Sequence, residues 1–456
     1  MYNRSKTLSL LSILVAFALV LGACAQPTAQ VVTQDVEVKE TVIVEQTTVV
    51  QEVVEVEKLI TPTPAPEGPV TIQFWHTYNV EVETPFLQDT LIPEFEAAHP
   101  NIKVEQVQVP YDQFRRKLLT SMAGGTAPDL IRADIIWVPE FADMGALAAL
   151  DEVMPDFAEF QEAVFPGPLS TNYLNGHYYG LPLDTNTRVL VYNKDMFAAA
   201  GIETPPATIE EFLADCEKIK ALGENKYCFA DGGTYAWAVN PWIWSFGGDV
   251  TDPDISAASG YLDGANTKAA YEFLKNLVDK GYMHPGILGG GVDAWGGFAN
   301  DEIAMLLEGP WFPPIFDGQF PDKPYGMALK PAGEGGSISV VGGEDIVMFQ
   351  QSQHKEAAAE FIRFMLSEEV QLKWATAGQM PVIASVVDTD EIKNHAFFGI
   401  FLEQLKTAKA RTPHPNWSKI EEAYNQAGSA FLAGELTFEE ALGETAKLVD
   451  GLLGGQ

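Results

Sequence analysis

The sequence is poor in cysteine, in basic residues and in long apolar runs, and each shortage closes off a class of function. Three cysteines occur in 456 residues, at positions 24, 216 and 228, and the seven histidines are scattered with no HxxxH or CxxC spacing anywhere. A metal centre gathers more ligands than that at close spacing, so neither a metal nor another cofactor is expected. Lys and Arg number 28 against 63 Asp and Glu, for a formal net charge of −35. Such a surface repels phosphate backbones, and no nucleic-acid partner is expected. The glycine-rich stretches "MAGGTAP" and "GILGGGVDAWGG" contain no Gly-Lys-Ser/Thr, and no GxSxG or HExxH occurs. Phosphate-loop, serine-hydrolase and zinc-peptidase chemistry therefore lack their signatures. "GGDVTDPDIS" has three aspartates but not the spacing or terminal glutamate of a calcium-binding hand.

One apolar run stands out, the 14 residues from Leu8 to Leu21, preceded by Arg4 and Lys6 and followed by "GAC". It is too short for a permanent membrane span and has the layout of a secretory signal. "LGAC" resembles the bacterial lipoprotein signal, which implies that Cys24 is lipidated and becomes the first mature residue; the alternative is an ordinary signal with a chance cysteine. Without Arg4 and Lys6 the formal charge becomes −37. Residues 25–68 contain no aromatic residue and no glycine before Gly68. Their Val/Glu-rich middle holds no single period, and their Thr-Pro end reads as an extended spacer. The segment is read as a stalk, mostly without fixed structure.

From Pro69 onward the chain is too long for one core and suits two lobes. "VTIQFWH" reads as a strand, "ETPFLQDTLIPEFEAAHP" as a helix ending before Pro100, and "IKVEQVQV" as a half-buried strand of period two. "YDQFRRKLLTSMAGG" is a helix closed by glycine, and "PDLIRADIIW" returns as a strand. "TIEEFLADCEKIKALG" opens with Thr208 and Glu211 at capping-box spacing and stops at Gly223. This βαβα order predicts α/β lobes with open, mostly parallel sheets and a ligand beyond the carboxyl ends of the strands. Cys216 and Cys228, at the ends of "CEKIKALGENKYC", form a short structural disulfide in an exported protein, or else remain as two buried thiols.

The order of "IQFWH", "HPNIKVE", "MAGGTAPDL", "WVPEFADMGALAAL", "YYGLPLDTNTRVLVYNKDMFAAAGIETPP", "PWIWSFGGD", "AMLLEGPW", "GGEDIVM", "KEAAAEFIRFMLSEEVQLKWA" and "GQMPV" resembles the extracellular solute-binding proteins of ABC sugar importers. That family includes the maltose, trehalose and glycerol-phosphate binders. The resemblance covers almost the whole chain after the stalk. It implies a two-lobed fold of the periplasmic-binding-protein type II, with ligand held between lobes joined by crossing strands. The crossings are expected at Gly180–Asn193, Val340–Met348 and Gly378–Ala384. Lobe 1 is then 69–183 with 347–381 and lobe 2 is 184–346 with 382–456, after a signal at 1–23 and the lipidated stalk at 24–68. A carbohydrate ligand, an ABC permease, a lipid-anchored monomer on the outer face of the cell membrane and no catalysis follow from the same resemblance.

The resemblance also points to site residues. Trp75 and His76 end the first strand, and Glu83 opens the first helix, where it either accepts sugar hydroxyls or complements the helix N-terminus. Asp134 matches a position that binds ligand hydroxyls, work suited to a carboxylate that accepts several charge-assisted bonds. Asp184 and Asn186 match a polar pair on the first crossing. Trp311 matches a stacking aromatic. Gly343, Glu344 and Asp345 lie on the returning strand, where many sugar binders carry an aromatic instead. Trp242 and Trp244, read as an extended segment, share one face toward either ligand or core, and at least one is expected at the cleft. Arg132 and Arg188 would favour an anionic ligand such as a uronate or a sugar phosphate if they pointed inward; otherwise they balance neighbouring acids. A glycosidase is the rival class, since paired carboxylates beside aromatic walls also build that cleft, and a sensor subunit without import is a third.

Overall fold

Alternating apolar and polar positions in "VTIQFWH" and "IKVEQVQV" produce two parallel strands that start the first of two main sheets. The computed structural model describes residues 68–454, so the signal, Cys24 and nearly all of the stalk lie outside the described residues. The first sheet holds β1 (Val70–His76), β2 (Ile102–Gln108), β3 (Leu130–Asp134), β6 (Gly180–Thr187), β11 (Val340–Met348) and β12 (Lys409–Ala410). A small hairpin of β4 (Tyr173–Leu174) and β5 (His177–Tyr178) precedes β6. The second sheet is ordered β10 (Tyr325–Ala328), β7 (Val189–Asn193), β9 (Ile303–Glu308), β8 (Tyr227–Phe229). The two sheets, covered by helices, make the two-lobed α/β architecture.

The sheets are mixed rather than mostly parallel. β1 runs parallel to β2 and β3, but β11 re-enters the first sheet antiparallel to β3 and β6. In the second sheet β8 and β9 are parallel, whereas β7 is antiparallel to both β9 and β10. The first crossing is as short as a crossing can be: β6 and β7 are separated by Arg188 alone.

The expected lobe boundaries shift when the cores are traced. β11 lies wholly in the first sheet, so a boundary at 346/347 would cut a strand, and the crossing falls before it, between β10 and β11. The segment Gly378–Ala384 does not leave the first lobe. The Thr185 N–H donates to the Met380 carbonyl at 3.2 Å, and Val382, Ile392, Phe398 and Phe401 are buried with Ile72, Phe74 and Phe361. The chain passes over only after the helix Phe398–Leu405, by way of β12, to the helix Trp417–Leu432. Ile420, Tyr424 and Phe431 of that helix share a core with Phe212, Trp242 and Tyr271.

The helix Ile209–Lys220 is capped as its sequence suggests, with Thr208 Oγ1 accepting from the Glu211 N–H at 3.2 Å. Glu211 reaches back to the Ala207 N–H at 2.7 Å. Cys216 on this helix and Cys228 on β8 are joined by a disulfide, and both are fully buried. No helix among the described residues is long and apolar enough to cross a membrane.

Candidate ligand-binding site

Every side chain of "LIRAD" is buried, yet β3 carries two charges, Arg132 and Asp134, two residues apart and therefore on one face. Buried charges have to be paired, and here the pairing builds the floor of a cleft of about 740 Å³. Arg132 donates from Nε and Nη2 to Asp184 Oδ2 at 3.1 and 2.9 Å, and from Nη2 to Glu344 Oε2 at 2.6 Å. Its Nη1 donates to Thr77 Oγ1 at 3.0 Å, and its guanidinium lies 4.4 Å from the Tyr78 ring centroid. Burial pushes the Glu344 carboxyl well above the ordinary range, against the pull of Arg132 and with a further push from Asp184. Asp134 accepts from Tyr111 Oη at 2.7 Å, from Arg411 Nη2 at 2.8 Å and from the Ile136 N–H at 3.1 Å.

Glycine lets β11 close over this floor. A Cβ on Gly342 would stand 2.2 Å from Asn186 Oδ1 and 2.6 Å from the Trp237 ring. Gly343 has φ +131°, and its Cβ would meet the Asp184 carbonyl at 2.4 Å. Asn186 Oδ1 is buried in the cleft wall without a hydrogen-bond partner.

Beside the floor stands an aromatic wall. Trp237 and Trp311 are stacked with centroids 6.2 Å apart and planes 29° apart, and both are half-buried. Trp311 is held by Glu308 at the end of β9, which also accepts from Trp295 Nε1 at 2.8 Å. Trp237 is held from behind by a proline effect. Pro241 lies inside the helix Ala236–Ser245 and has no N–H for the carbonyl four residues earlier, which is that of Trp237. That carbonyl accepts instead from Arg188 Nη1 at 2.8 Å. Arg188 also donates to the Leu307 carbonyl and to Asp231, so its charge is spent inside the second lobe and does not line the cleft.

The residues singled out from sequence divide into two groups. Glu83, Asp134, Asn186, Trp311, Gly343 and Glu344 line the cleft together. Glu83 does so with its oxygens engaged, by the Asn79 N–H at 2.8 Å and by Gln379. Asp184 lies one layer below, bonded to Arg132. Trp75 packs into the core with Lys117 4.6 Å from its ring centroid, and His76 is fully buried, 2.6 Å from Gln106 Oε1. Burial lowers the His76 pKa to about 4, so it is neutral at pH 7. Asp345 is fully buried beside Thr171, because as the next residue after Glu344 on the strand it points to the opposite face of the sheet.

Trp242 and Trp244 are not at the cleft either, because their segment is helical and not extended. Residues two apart on a helix diverge by about 200°, so the two rings take different environments. Trp242 is buried among Phe212, Phe229 and Phe273 with Lys330 Nζ 4.1 Å from its centroid. Trp244 is buried and donates from Nε1 to Asp249 at 2.8 Å.

A match to the bacterial extracellular solute-binding proteins spans residues 81–372. The chain belongs to that family. Among its relatives, a Brucella abortus (strain 2308) protein named as a binding protein is 30% identical over 369 residues, covering 79% of this chain and 88% of its own. An ABC transporter solute-binding protein from Thermotoga lettingae, bound with α-D-tagatose, is 30% identical with a TM-score of 0.77, covering 84% of this chain and 100% of its own. A Streptomyces glaucescens receptor solved unliganded and with acarbose is 25% identical with a TM-score of 0.76, covering 85% and 99%.

In this solute-binding protein, sequence reasoning missed Trp237, Tyr235, Tyr111, Trp137, Arg411 and Glu421, all of which line the cleft. Trp237 sits four residues before "PWIWSFGGD", and reading "YAWAVNPWIWS" as a helix separates it from Trp242. Arg411 carried a signal too, as a lone arginine at the true third crossing; it pairs with Asp134 of the first lobe while lying 5.5 Å from the Trp237 centroid.

Proposed function

We propose that the protein captures a neutral carbohydrate in this cleft, closes around it and presents it to the membrane subunits of an ABC transporter. The observation that carries the reading is the pairing of an aromatic wall, Trp237 and Trp311, with a floor of pre-bonded carboxylates and guanidiniums from the other lobe. A sugar has apolar C–H faces for the wall and hydroxyls for the floor. The tagatose and acarbose complexes of its relatives support the ligand class.

An anionic sugar fits less well. Three of the four guanidiniums in the lining are already bonded to carboxylates, Arg132 to Asp184 and Glu344, Arg411 to Asp134 and Arg115 to Glu140, while Arg116 is exposed to water at the edge. Glu83 and Glu421 add two more carboxyl groups to the same lining. Glycosidase chemistry fits less well too. A catalytic pair flanks the bond to be cut, whereas Asp184 and Glu344 converge on one guanidinium.

Calorimetric titration with neutral and acidic saccharides, run beside an assay for cleavage products, tests this. Saturable binding of a neutral sugar without turnover is expected; binding of uronates or sugar phosphates alone, or release of shorter products, would overturn it. A lipid at Cys24 and a monomeric state belong to the same proposal. Cys24→Ala should release the protein from the membrane fraction, and light scattering should return the monomer mass.

A further inference from the structure

Besides the strands that cross between them, the lobes touch where the first-lobe helix Glu368–Thr376 ends against the start of the second-lobe helix Phe312–Gln319. Gly378 closes the first of these, with φ +92° and its N–H donating to the Ala375 carbonyl at 3.1 Å. A Cβ on it would stand 2.9 Å from Pro314 Cγ and 3.3 Å from the Pro310 carbonyl oxygen, so a side chain here would push the two helices apart. Each side is fixed to its own core. Trp374 is buried and stacked on Tyr78 with centroids 4.6 Å apart, and Phe312 and Phe316 are fully buried with Ile303 and Leu306. The contact adjoins both faces of the ligand cleft. Gln379, the residue after Gly378, lines the cleft and donates to Glu83, while Trp311 and Ile315 line it from the start of the helix that carries Pro314. A second contact between the lobes, from Ser418 Oγ to Glu140 Oε2 at 3.0 Å, joins two side chains that can follow a small movement. Backbone against a proline ring cannot.

We propose that Gly378 sets the width of the cleft and thereby its specificity: the bare backbone lets Trp311 come near enough to the floor at Glu83 and Gln379 for one sugar ring to touch both. The inference rests on the carbohydrate reading above. Carbon atoms in contact settle at about 3.5–4.0 Å, so a methyl group at position 378 would drive the Pro314 side back by roughly 0.6–1 Å. Neither helix can absorb that shift alone, since each is close-packed into its own lobe, and the soft coordinate left is the separation of the lobes. A gap of about 0.5–1 Å forfeits a quarter to a half of a dispersion contact, and the hydrogen bonds from the same ligand to the floor lengthen with it. Ligand thickness is therefore read by a position that does not itself line the cleft.

The test titrates the mature protein by calorimetry with D-glucose, D-galactose, D-mannose, D-xylose, D-tagatose, maltose, cellobiose and maltotriose, and carries the saccharide that the parent binds tightest to the variants. Gly378→Ala should bind it about tenfold more weakly or worse. It should also melt lower, because alanine is strained at this φ. Pro314→Ala removes Cγ and Cδ within the first helical turn, where proline is dispensable, and should stay within about twofold of the parent's affinity. Gly378→Ala combined with Pro314→Ala should regain most of the lost affinity while melting no higher than Gly378→Ala alone, since the backbone strain remains. That split separates cleft width from strain. Gly378→Asn, which carries the same Cβ but tolerates positive φ better, gives the same reading if the alanine variant fails to fold. Unchanged or tighter binding by Gly378→Ala, or a loss that Pro314→Ala does not relieve, would overturn the role of Gly378 while leaving carbohydrate capture intact. Absence of binding by the parent across the whole panel would overturn the carbohydrate reading and the cleft-width role with it.

Discussion

Replacing Arg132 by methionine removes one guanidinium and strands two acids. In the folded protein Arg132 holds Asp184 through two bonds and Glu344 through one, all between 2.6 and 3.1 Å, with a fourth to Thr77. All three charged side chains are largely withdrawn from water, at 5%, 2% and 15% exposure for Arg132, Asp184 and Glu344. Breaking a buried pair by removing one partner costs about 3–5 kcal/mol, because the remaining charge keeps its desolvation penalty and loses its compensation. Arg132→Met should therefore lower stability by about that amount in urea titrations at pH 7. The loss should shrink toward pH 5. Glu344 is already held above the ordinary carboxylate range by burial, and without the opposing cation it takes up a proton more readily in the folded state than in the unfolded chain. A folded state that binds more protons gains stability as pH falls. Glu344→Gln, which leaves Arg132 bonded to Asp184, should cost much less at either pH. A loss under about 1 kcal/mol for Arg132→Met, equal at pH 5 and pH 7, would refute the account of the floor as an interdependent charge cluster.

The aromatic assignments separate by assay: Trp237→Ala should weaken sugar binding by about 2 kcal/mol or more with little change in melting, whereas Trp242→Ala should cost roughly 3–5 kcal/mol of stability. The reverse pattern would move the wall back into the core. Lys330 is almost fully buried, its Nζ donating to Ser245 Oγ at 2.7 Å, and burial holds its ammonium well below the ordinary lysine range. The unfolded chain then binds more protons over the interval up to about pH 10.4, so this residue makes stability rise with pH there. Lys330→Met should be more stable than the parent at pH 7, by a margin that narrows as pH rises; a constant margin in paired melts would count against it. Cys216→Ser should lower stability by about 3 kcal/mol, since it opens a short closed loop, and both cysteines should resist alkylation in denatured, unreduced protein.

Much of the fold was legible because the relevant signals are local. Period-two alternation marked β2, Thr208 with Glu211 marked a helix start, and the two cysteines lay close enough in sequence to suggest their bond. The mixed direction of the sheets was not legible, because the partner of β11 is chosen by the whole chain's path and not by its own nine residues. The third crossing was misplaced for a similar reason. "GQMPVIA" looks like a departing strand, but Val382 and Ile383 find a vacant place in the first core, and the chain stays until Leu405. At the site, polar residues on strands were read better than aromatics. "AWAVNPWIWS" is mostly apolar around the helix, so no helical face stands out, and it was read as extended. The structure keeps the helix by giving the orphaned Trp237 carbonyl to Arg188.

That bond bears on how a ligand could drive closure. Arg188 is the single residue between the sheets at the first crossing, and it fastens Trp237 from the second-lobe side. Arg411, at the third crossing, fastens Asp134 on the first-lobe side while its guanidinium lies near the Trp237 ring. Both supports of the wall and the floor therefore run through residues at the crossings, whereas the surfaces they orient belong to different lobes. A ligand touching only the floor, or only the wall, gains equally in open and closed forms and shifts nothing; one touching both gains only when the lobes meet. In the proposed reading, the sugar hydroxyls on Asp134 and Asn186 and its apolar face on Trp237 and Trp311 are the two contacts that have to be made at once. A substitution confined to either surface should then lower affinity and reduce ligand-induced closure together. Small-angle scattering on Trp237→Ala at saturating sugar would test this: a compact form as complete as the parent's would mean that floor contacts alone close the cleft.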